Sequence, residues 1–265
     1  MIRKFKVSKL SKDISLAIRS YHLWGYLSWQ DIRLRYRRSK IGPLWITLSM
    51  ALFCLALGFV YSKLFNADLK EYLPFLSFGY IAWSFVSGLT TEMPNIFVDS
   101  SAYFKDIRLN PLVVIARAFS RATIIFAHNL IIVVGIWFYF DMFPGWNLLQ
   151  IFPSLALVVC NLFFIGVCLA IVGARFRDIA PIVQSLVQIV FFITPIFWFP
   201  RLLPEGSLII HLNPYGYFVD LIRSPLLGQS VAFDTWVASV LVLFLSAFAA
   251  SWLYRAKSAR IPFWV

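Results

Sequence analysis

The sequence predicts an all-α integral membrane protein with six transmembrane helices, an N-terminal amphipathic interface helix, and short re-entrant helices between spans five and six. Of its 265 residues, 60% are hydrophobic and only 14% are charged, whereas soluble proteins have roughly 45–50% apolar and about 25% charged residues. The mean hydropathy is +0.78. A water-soluble fold of this size could not bury so many apolar side chains, so we expect the chain to lie in a membrane.

Six segments without charged residues are long enough to cross a bilayer, since a spanning helix needs about 20 mostly apolar residues. They lie at 41–62, 73–91, 122–140, 151–174, 179–200 and 235–254. We therefore predict a six-helix transmembrane domain at 41–254, between a cytoplasmic N-terminus at 1–40 and a cytoplasmic tail at 255–265. Thr194-Pro195 lies inside the fifth segment, and proline should kink that helix or end it early.

The distribution of basic residues predicts the orientation. The chain has 24 Lys and Arg against 12 Asp and Glu, and 20 of the 24 fall in 1–40, 98–121, 175–178 and 255–265. Six spans place these four segments on one side, and cytoplasmic loops are enriched in Lys and Arg, so we expect both termini to be cytoplasmic. We attribute the excess positive charge to anchoring beside anionic membrane lipids and predict no nucleic-acid partner.

Residues 14–38 have the pattern of an amphipathic helix lying in the membrane surface. Apolar side chains recur every three to four positions at Ile14, Ile18, Tyr21, Trp24 and Leu27. Basic residues occupy the polar positions, and Trp24 and Trp29 are expected at the level of the lipid headgroups. A plain basic flank is the alternative, but it leaves the aromatic spacing unexplained.

The region 201–231 is too long for a tight connector and too apolar for a free loop. Its apolar runs are too short to cross a bilayer. Two interpretations stay open: short helices that dip into the outer leaflet and return, or an interfacial loop anchored by aromatic side chains.

No sequence motif points to catalysis by this chain. It contains no Gly-Lys dipeptide, so a Walker A phosphate loop cannot be built. Acidic residues are isolated: Glu92 lies at the inner end of the second span, where it can pair with Arg117 or Arg121, and Asp106 and Asp178 lie among basic residues. We therefore predict no catalytic residue and no metal site.

Aromatic residues make up 18% of the chain, including 27 Phe and 10 Trp. Contact with lipid and anchoring at the interface explain most of them. A fraction can line a passage, because aromatic rings are good platforms for the C–H faces of sugars.

Four segments of the sequence resemble the permease subunits of ABC-2 type polysaccharide exporters, the family that exports O-antigen, capsular polysaccharide or teichoic acid. In chain order they are WQDIRLRYRRSKIGPLWITLSM (29–50), FKDIRLNPLVVIAR (104–117), ARFRDIAPIVQSLVQIVFFITPIFW (174–198) and LNPYGYFVDLIRSPLLG (212–228). The resemblance implies an ABC-2 (type V exporter-like) permease fold.

It also implies the function and the partners. Such a permease pairs with a second copy of itself and with two copies of a cytoplasmic ABC ATPase in the bacterial cytoplasmic (inner) membrane, and it moves a lipid-linked polysaccharide. The ATPase subunit binds ATP and Mg²⁺, so no cofactor is expected in this chain. Two alternatives stay open: an ABC-2 exporter of a small hydrophobic drug or lipid, and a membrane-embedded enzyme of glycan assembly.

The resemblance further implies roles at the cytoplasmic side. The residues expected to couple to the ATPase are Trp24, Trp29, Asp31, Phe104, Lys105, Asp106, Ile107 and Arg108. The residues expected to bind a substrate lipid phosphate or the membrane surface are Arg33, Arg35, Arg37 and Arg38. The cytoplasmic turn is expected at Arg175, Arg177 and Asp178.

Within the membrane, spans one and five are implied to line the passage, and 201–231 is implied to close its outer mouth. The expected lining aromatics are Trp45, Phe53, Tyr61, Phe191, Phe192 and Trp198. The expected residues of the periplasmic gate are Asn213, Pro214, Tyr215 and Tyr217.

Overall fold

The computed structural model describes residues 9–35, 37, 41–42, 44–106, 109–202, 204 and 212–265, and these ranges contain helices and turns but no β-strand. The helices, in chain order, are α1 (Lys9–Arg19), α2 (Tyr21–Arg35), α3 (Leu44–Leu64), α4 (Leu69–Glu92), α5 (Ile96–Asp99), α6 (Ser101–Asp106), α7 (Pro111–Phe140), α8 (Ile151–Arg175), α9 (Ile179–Ile193), α10 (Pro214–Leu226), α11 (Phe233–Lys257) and α12 (Ile261–Trp264). The all-α fold is thereby confirmed.

Among the described residues, five helical segments are long and apolar enough to cross a membrane; they contain α3, α4, α7, α8 and α11. The chain is a multi-pass membrane protein. The predicted span at 179–200 differs: α9 has 15 residues and ends at Ile193, which gives a length of about 22 Å, shorter than the roughly 30 Å hydrocarbon core. Pro195 explains the early end, because the residue before a proline is disfavoured in the helical region, and Thr194 is extended.

The N-terminal region forms two helices, so the expectation of one helix over 14–38 is corrected. α1 and α2 meet at Ser20, whose hydroxyl donates to the carbonyl oxygen of Leu16 at 2.9 Å; such local bonds compete with helix continuation. The Trp24 indole nitrogen donates to the carbonyl oxygen of Ala17 at 2.9 Å and fixes the turn between the helices. α2 ends at Arg35, and residues 36 and 38–40 lie outside the described ranges.

α8 packs against the end of α4 with direct backbone contact. A Cβ atom at Gly173 would lie 2.1 Å from the carbonyl oxygen of Pro94, and one at Gly166 would lie 3.0 Å from the Met93 side chain. Ala170, which lies between Gly166 and Gly173 in the sequence, is fully buried. Small residues allow such close approach of helices in membranes, and here they fasten the segment after α4 to α8.

The two ends of the described chain meet at one end of the bundle. The Tyr254 hydroxyl of α11 donates to the Asp13 carboxylate of α1 at 2.7 Å, and the side-chain amide of Asn110 donates to the Asp13 carbonyl oxygen at 3.0 Å. After α11 the chain folds back, and Ile261 of α12 is fully buried. The predicted tail at 255–265 is therefore part of the packed structure. We call the end of the bundle that carries α1, α2, α6 and α12 the basal end, and the end with α10 the distal end.

Candidate functional site

A cluster of four charged side chains joins α2, α4 and α7 at the basal end. Nε of Arg117 donates to one carboxylate oxygen of Asp31 at 2.8 Å, and Arg121 donates to the same carboxylate at 2.6 Å. Arg121 also pairs with Glu92. We call Asp31, Glu92, Arg117 and Arg121 the basal ion cluster; two of its members are positive and two are negative.

The cluster keeps Asp31 ionised and α2 docked. Burial by itself would raise the pKa of the Asp31 carboxyl, but hydrogen bonds and positive charge from Arg117 and Arg121 outweigh it and hold the pKa below its ordinary value. One turn away the hydroxyls of Ser28 and Ser120 share a hydrogen bond at 2.8 Å. Ile32 on the same face is buried. A polar and an apolar contact thus flank the ion pairs.

The residues expected to couple to an ATPase fall into two groups. Trp29 is 46% exposed on α2, where it is available to a partner. Asp31 is engaged within the protein, Trp24 packs against the core, and Phe104 is buried with its ring 5.7 Å from that of Phe97. These three residues hold the basal surface in place rather than protrude from it.

The other predicted residues of this segment are less fully described. Lys105 and Asp106 belong to α6, but their side chains lie outside the described part of the chain, as do Ile107 and Arg108 entirely.

Three of the four arginines expected at the membrane surface lie in the described ranges. Arg33, Arg35 and Arg37 are exposed, and exposure is necessary for binding a lipid phosphate or the membrane surface. Arg38 lies outside those ranges. The turn between α8 and α9 is exposed too, at Arg175, Arg177 and Asp178. The guanidinium carbon of Arg175 lies 5.5 Å from the ring centre of Trp264, which ties this turn to α12.

A row of neighbouring aromatic rings, two pairs stacked and two pairs edge-to-face, connects α3, α4 and the region of α9. Phe53 lies 4.4 Å from Tyr80, Tyr80 lies 6.2 Å from Phe191, Phe191 lies 4.7 Å from Phe197, and Phe197 lies 5.8 Å from Tyr61, measured between ring centres. We call these five residues the aromatic row. The structure thus brings together three predicted aromatics of spans one and five, Phe53, Tyr61 and Phe191.

The sequence analysis missed the contribution of α4 to this row. Tyr80 links the rings of α3 and α9, and Trp83 lies 5.4 Å from Phe191 and 6.1 Å from Tyr215. Tyr80 and Trp83 are three residues apart, and residues at this spacing share one helix face, which is the signal that could have revealed them.

The remaining predicted aromatics are not members of the row, although the ring centre of Phe192 lies 5.5 Å from that of Phe191. Trp45, at the start of α3, and Phe192 on α9 are exposed, so both can contact lipid, a passage or a second copy of the chain. The Trp198 indole donates to the Phe192 carbonyl oxygen at 3.1 Å and closes the turn after α9.

At the distal end, the predicted gate residues build the start of α10. The Asn213 side-chain oxygen accepts from the backbone N–H of Tyr215 at 3.1 Å, and its amide nitrogen donates to the Thr194 hydroxyl at 2.8 Å. Pro214 is the first helical residue, a favoured position for proline. The Tyr215 hydroxyl donates to the Thr90 hydroxyl at 3.3 Å, and Tyr217 is partly buried. Residues 203 and 205–211 of the predicted gate region lie outside the described ranges.

Arg223 on α10 is a buried charge that the sequence analysis counted only as one of four basic residues on the outer side. It is 4% exposed, it donates to the Pro195 carbonyl oxygen at 2.6 Å, and it pairs with Asp220. Its guanidinium carbon lies 4.1 Å from the ring centre of Phe75. One side chain thus joins α10 to α4 and to the turn after α9.

A cleft of about 450 Å³ lies between α3, α4 and α7. It runs from Glu92 and Arg121 of the basal ion cluster to Phe53 and Tyr80 of the aromatic row. We call it the inner cleft.

Comparison with known proteins identifies the family. The model of the ABC-2 type transporter family matches residues 22–227. The chain belongs to the ABC-2 type transporter family. The matched range begins in α2 and ends just after α10, so it includes the basal ion cluster, the aromatic row and Arg223.

Relatives of the chain include proteins named O-antigen export system permease protein RfbA from two organisms. One from Klebsiella pneumoniae is 23% identical over 193 residues, covering 72% of this chain and 74% of the relative. One from Myxococcus xanthus is 24% identical over 193 residues, covering 70% and 72%. The chain is an ABC-2 permease homologous to these proteins, as its sequence motifs predicted. Membership in this family implies transport rather than catalysis and a partner ATPase subunit.

Proposed function

We propose that this chain is the transmembrane subunit of an ATP-driven exporter that moves a lipid-linked polysaccharide, of the O-antigen, capsule or teichoic-acid type, across the bacterial cytoplasmic membrane. The observation that carries the proposal is the similarity over 193 residues to O-antigen export permeases of two organisms. The aromatic row supports it, because aromatic rings offer surfaces on which the C–H faces of sugars can pack.

In the working complex, two copies of this chain associate with two copies of a cytoplasmic ABC ATPase, which binds ATP and Mg²⁺. The basal end faces the cytoplasm, with both termini on that side. The concentration of 20 of the 24 basic residues in the segments assigned to this side supports the orientation.

Exposed apolar stripes support the assignment of α3 and α9 to a passage or to the contact with the second copy. On α9 the exposed residues Ile182, Leu186, Ile189 and Ile193 recur at intervals of three and four, so they lie along one face of the helix. α3 exposes Leu52 and Phe59, seven residues apart on one face. With the aromatic row between these helices, α3 and α9 form one apolar side of the subunit.

The basal ion cluster supports a route for coupling. The ATPase contacts α2 through Trp29, contacts Lys105 and Asp106 of α6, and contacts Ile107 and Arg108, which follow them in the sequence. Asp31 transfers a movement of α2 to α7 through Arg117, and Arg121 transfers it to Glu92 at the end of α4. The rigid helices then move the passage from one of its two conformations to the other.

The exposed arginines of α2 support a role at the entrance. Arg33, Arg35 and Arg37 attract the phosphate groups of the lipid carrier, because guanidinium groups bind phosphate through paired hydrogen bonds. Anionic membrane lipids have the same chemistry and compete for these side chains.

The test is deletion of the gene in its native bacterium, followed by complementation. We expect the deletion to trap a completed glycan inside the cell, and we expect the gene together with its ATPase to restore glycan at the surface, measured by gel electrophoresis of surface polysaccharide. Co-purification with the ATPase should give equal numbers of the two subunits. An unchanged surface glycan, together with lost efflux of a small lipophilic compound, would contradict the substrate class.

A further inference from the structure

We infer that the inner cleft is a saccharide-binding subsite at the basal entrance of the passage. This inference rests on the proposed function and adds a site within the subunit to it. The site lies between α3, α4 and α7 and shares Phe53 and Tyr80 with the aromatic row.

The first observation is a buried polar group without a partner. Asn129 of α7 is 1% exposed, it lines the inner cleft, and its side-chain oxygen has no hydrogen-bond partner. An amide oxygen that is withdrawn from water and left without a donor is unfavourable. An O–H group of a bound ligand would satisfy it.

The second observation is the chemistry of the other polar groups in the lining. The hydroxyls of Ser49 and Ser84 donate to carbonyl oxygens of their own helices, at 3.0 Å to Ile46 and at 2.8 Å to Ile81. Each hydroxyl hydrogen is therefore engaged, and each oxygen remains an acceptor. Glu92 adds a carboxylate to the lining.

The lining also holds donors. Arg121 already binds the carboxylates of Asp31 and Glu92, but Arg35, the Tyr80 hydroxyl and the Asn129 amide nitrogen belong to the lining too. The lining therefore combines acceptors with donors. A sugar suits it, because each sugar hydroxyl can both donate and accept a hydrogen bond.

The third observation is the shape and the apolar part of the cleft. Its volume of about 450 Å³ lies within the roughly 300–1,000 Å³ of small-molecule sites, which combine apolar and aromatic walls with a few polar groups. The stacked rings of Phe53 and Tyr80 form one end. They provide a surface for the C–H face of a sugar whose hydroxyls reach Asn129 and Ser84.

The test uses the purified complex of permease and ATPase in lipid nanodiscs. Saturation-transfer difference NMR would measure binding of the methyl glycosides of glucose, galactose, mannose and N-acetylglucosamine, each used as a separate probe. We expect a signal from at least one probe with the wild-type complex. Asn129→Leu should weaken its binding by about threefold to tenfold, the effect of losing one hydrogen bond.

Asn161→Leu is the matched control. Asn161 is fully buried and its side-chain oxygen also lacks a partner, but its amide nitrogen bonds to α11 through the Ser239 carbonyl oxygen, away from the cleft. It should leave probe binding unchanged. If Asn129→Leu does not assemble, Ser84→Ala removes an acceptor from the same lining with a smaller change in shape and should weaken binding too.

The outcomes separate the site from the function. If no probe binds the wild-type complex, or if Asn129→Leu and Ser84→Ala bind as the wild type does, the saccharide subsite is refuted while export can still be measured in cells. If a probe binds and only the cleft variants lose it, the subsite is supported, even where the complementation test fails to show export.

Discussion

Arginine fastens a short helix to the long helices at both ends of the bundle, but the two ends are built differently. At the basal end, Arg117 and Arg121 of α7 hold the Asp31 carboxylate of α2, and all three side chains keep between 16% and 19% of their surface exposed. At the distal end, the Arg223 side chain is 5% exposed and pairs with that of Asp220, which is 29% exposed, on its own helix. The basal side chains all keep some contact with water when their ion pairs open, whereas the Arg223 guanidinium is buried and depends on its partners within the protein.

The comparison has a physical basis. Side chains that keep some contact with water can be partly hydrated when their ion pair opens, whereas a buried charge that loses its partners is left uncompensated. We therefore expect the basal ion cluster to govern transmission of movement and Arg223 to govern whether the distal half folds.

The largest effect is expected at the distal end. Arg223→Met should lower the free energy of unfolding by about 3–5 kcal/mol, because it removes the charged hydrogen bond to Asp220 and leaves the Pro195 carbonyl oxygen without its donor. The thermal unfolding of the purified protein would measure it. Arg201→Met is the control, since the Arg201–Glu71 pair is more than half exposed and should contribute less than about 1 kcal/mol. Equal losses for the two variants would remove the contrast between buried and exposed pairs.

A smaller effect on stability, but a larger one on transport, is expected from Asp31→Asn. The change removes the carboxylate shared by Arg117 and Arg121, which should cost about 1.5–3 kcal/mol and should reduce export while the ATPase continues to hydrolyse ATP. Export and ATP hydrolysis by the same complex would be compared. The double variant Asp31→Arg with Arg117→Asp should export more than Asp31→Arg alone, although Arg121 then faces a like charge at position 31; no gain over Asp31→Arg would argue against a direct ionic contact.

The pH dependence of this contact follows from the lowered pKa of Asp31. A carboxyl whose pKa is lower in the folded state stabilises the fold above its unfolded pKa of about 3.9, and this contribution is lost as the pH falls through the folded value. The difference in unfolding temperature between wild type and Asp31→Asn should therefore stay constant from neutral to mildly acidic pH and shrink below about pH 4. A difference that vanishes near neutral pH would contradict the assignment.

The smallest effect is expected from Ser28→Ala, which removes the hydrogen bond to Ser120 beside the basal ion cluster. A loss of about 0.5–1.5 kcal/mol and near-normal export would show that the charges, not the neutral contact, transmit movement. Ser20→Ala, at the turn between α1 and α2, is the matched control for a serine that bonds only to its own segment. If Ser28→Ala reduced export as strongly as Asp31→Asn, then docking of α2 in general, and not the charges, would be responsible for the coupling.

The all-α membrane fold and the family were predictable, because long apolar runs and local motifs carry that information. The early end of α9 was indicated as well, since Thr194-Pro195 acts on its immediate neighbours. The pairing of Glu92 with Arg121 was one of two options foreseen from charge and position. The ion pairs of Asp31 with Arg117 and Arg121 were not predictable, because these partners lie 86 and 90 residues away.

The inner cleft and Arg223 were missed for the same reason. Asn129 is ordinary in sequence, and only the packing of α3, α4 and α7 makes it a buried group without a partner. Arg223 follows Asp220 by three residues, which signals a local pair, but its contacts with Phe75 and the Pro195 carbonyl oxygen depend on the turn after α9.

The contacts of Asp13 bear on the order in which the helices of the subunit assemble. The Asp13 carbonyl oxygen accepts from Asn110 and its carboxylate accepts from Tyr254. Through these two bonds α1 contacts both the start of α7 and α11, the last membrane helix. Because chains emerge from the ribosome N-terminus first, the contact between α1 and α11 cannot form until α11 has been synthesised. The position of α1 is therefore fixed only after the last membrane helix has been made.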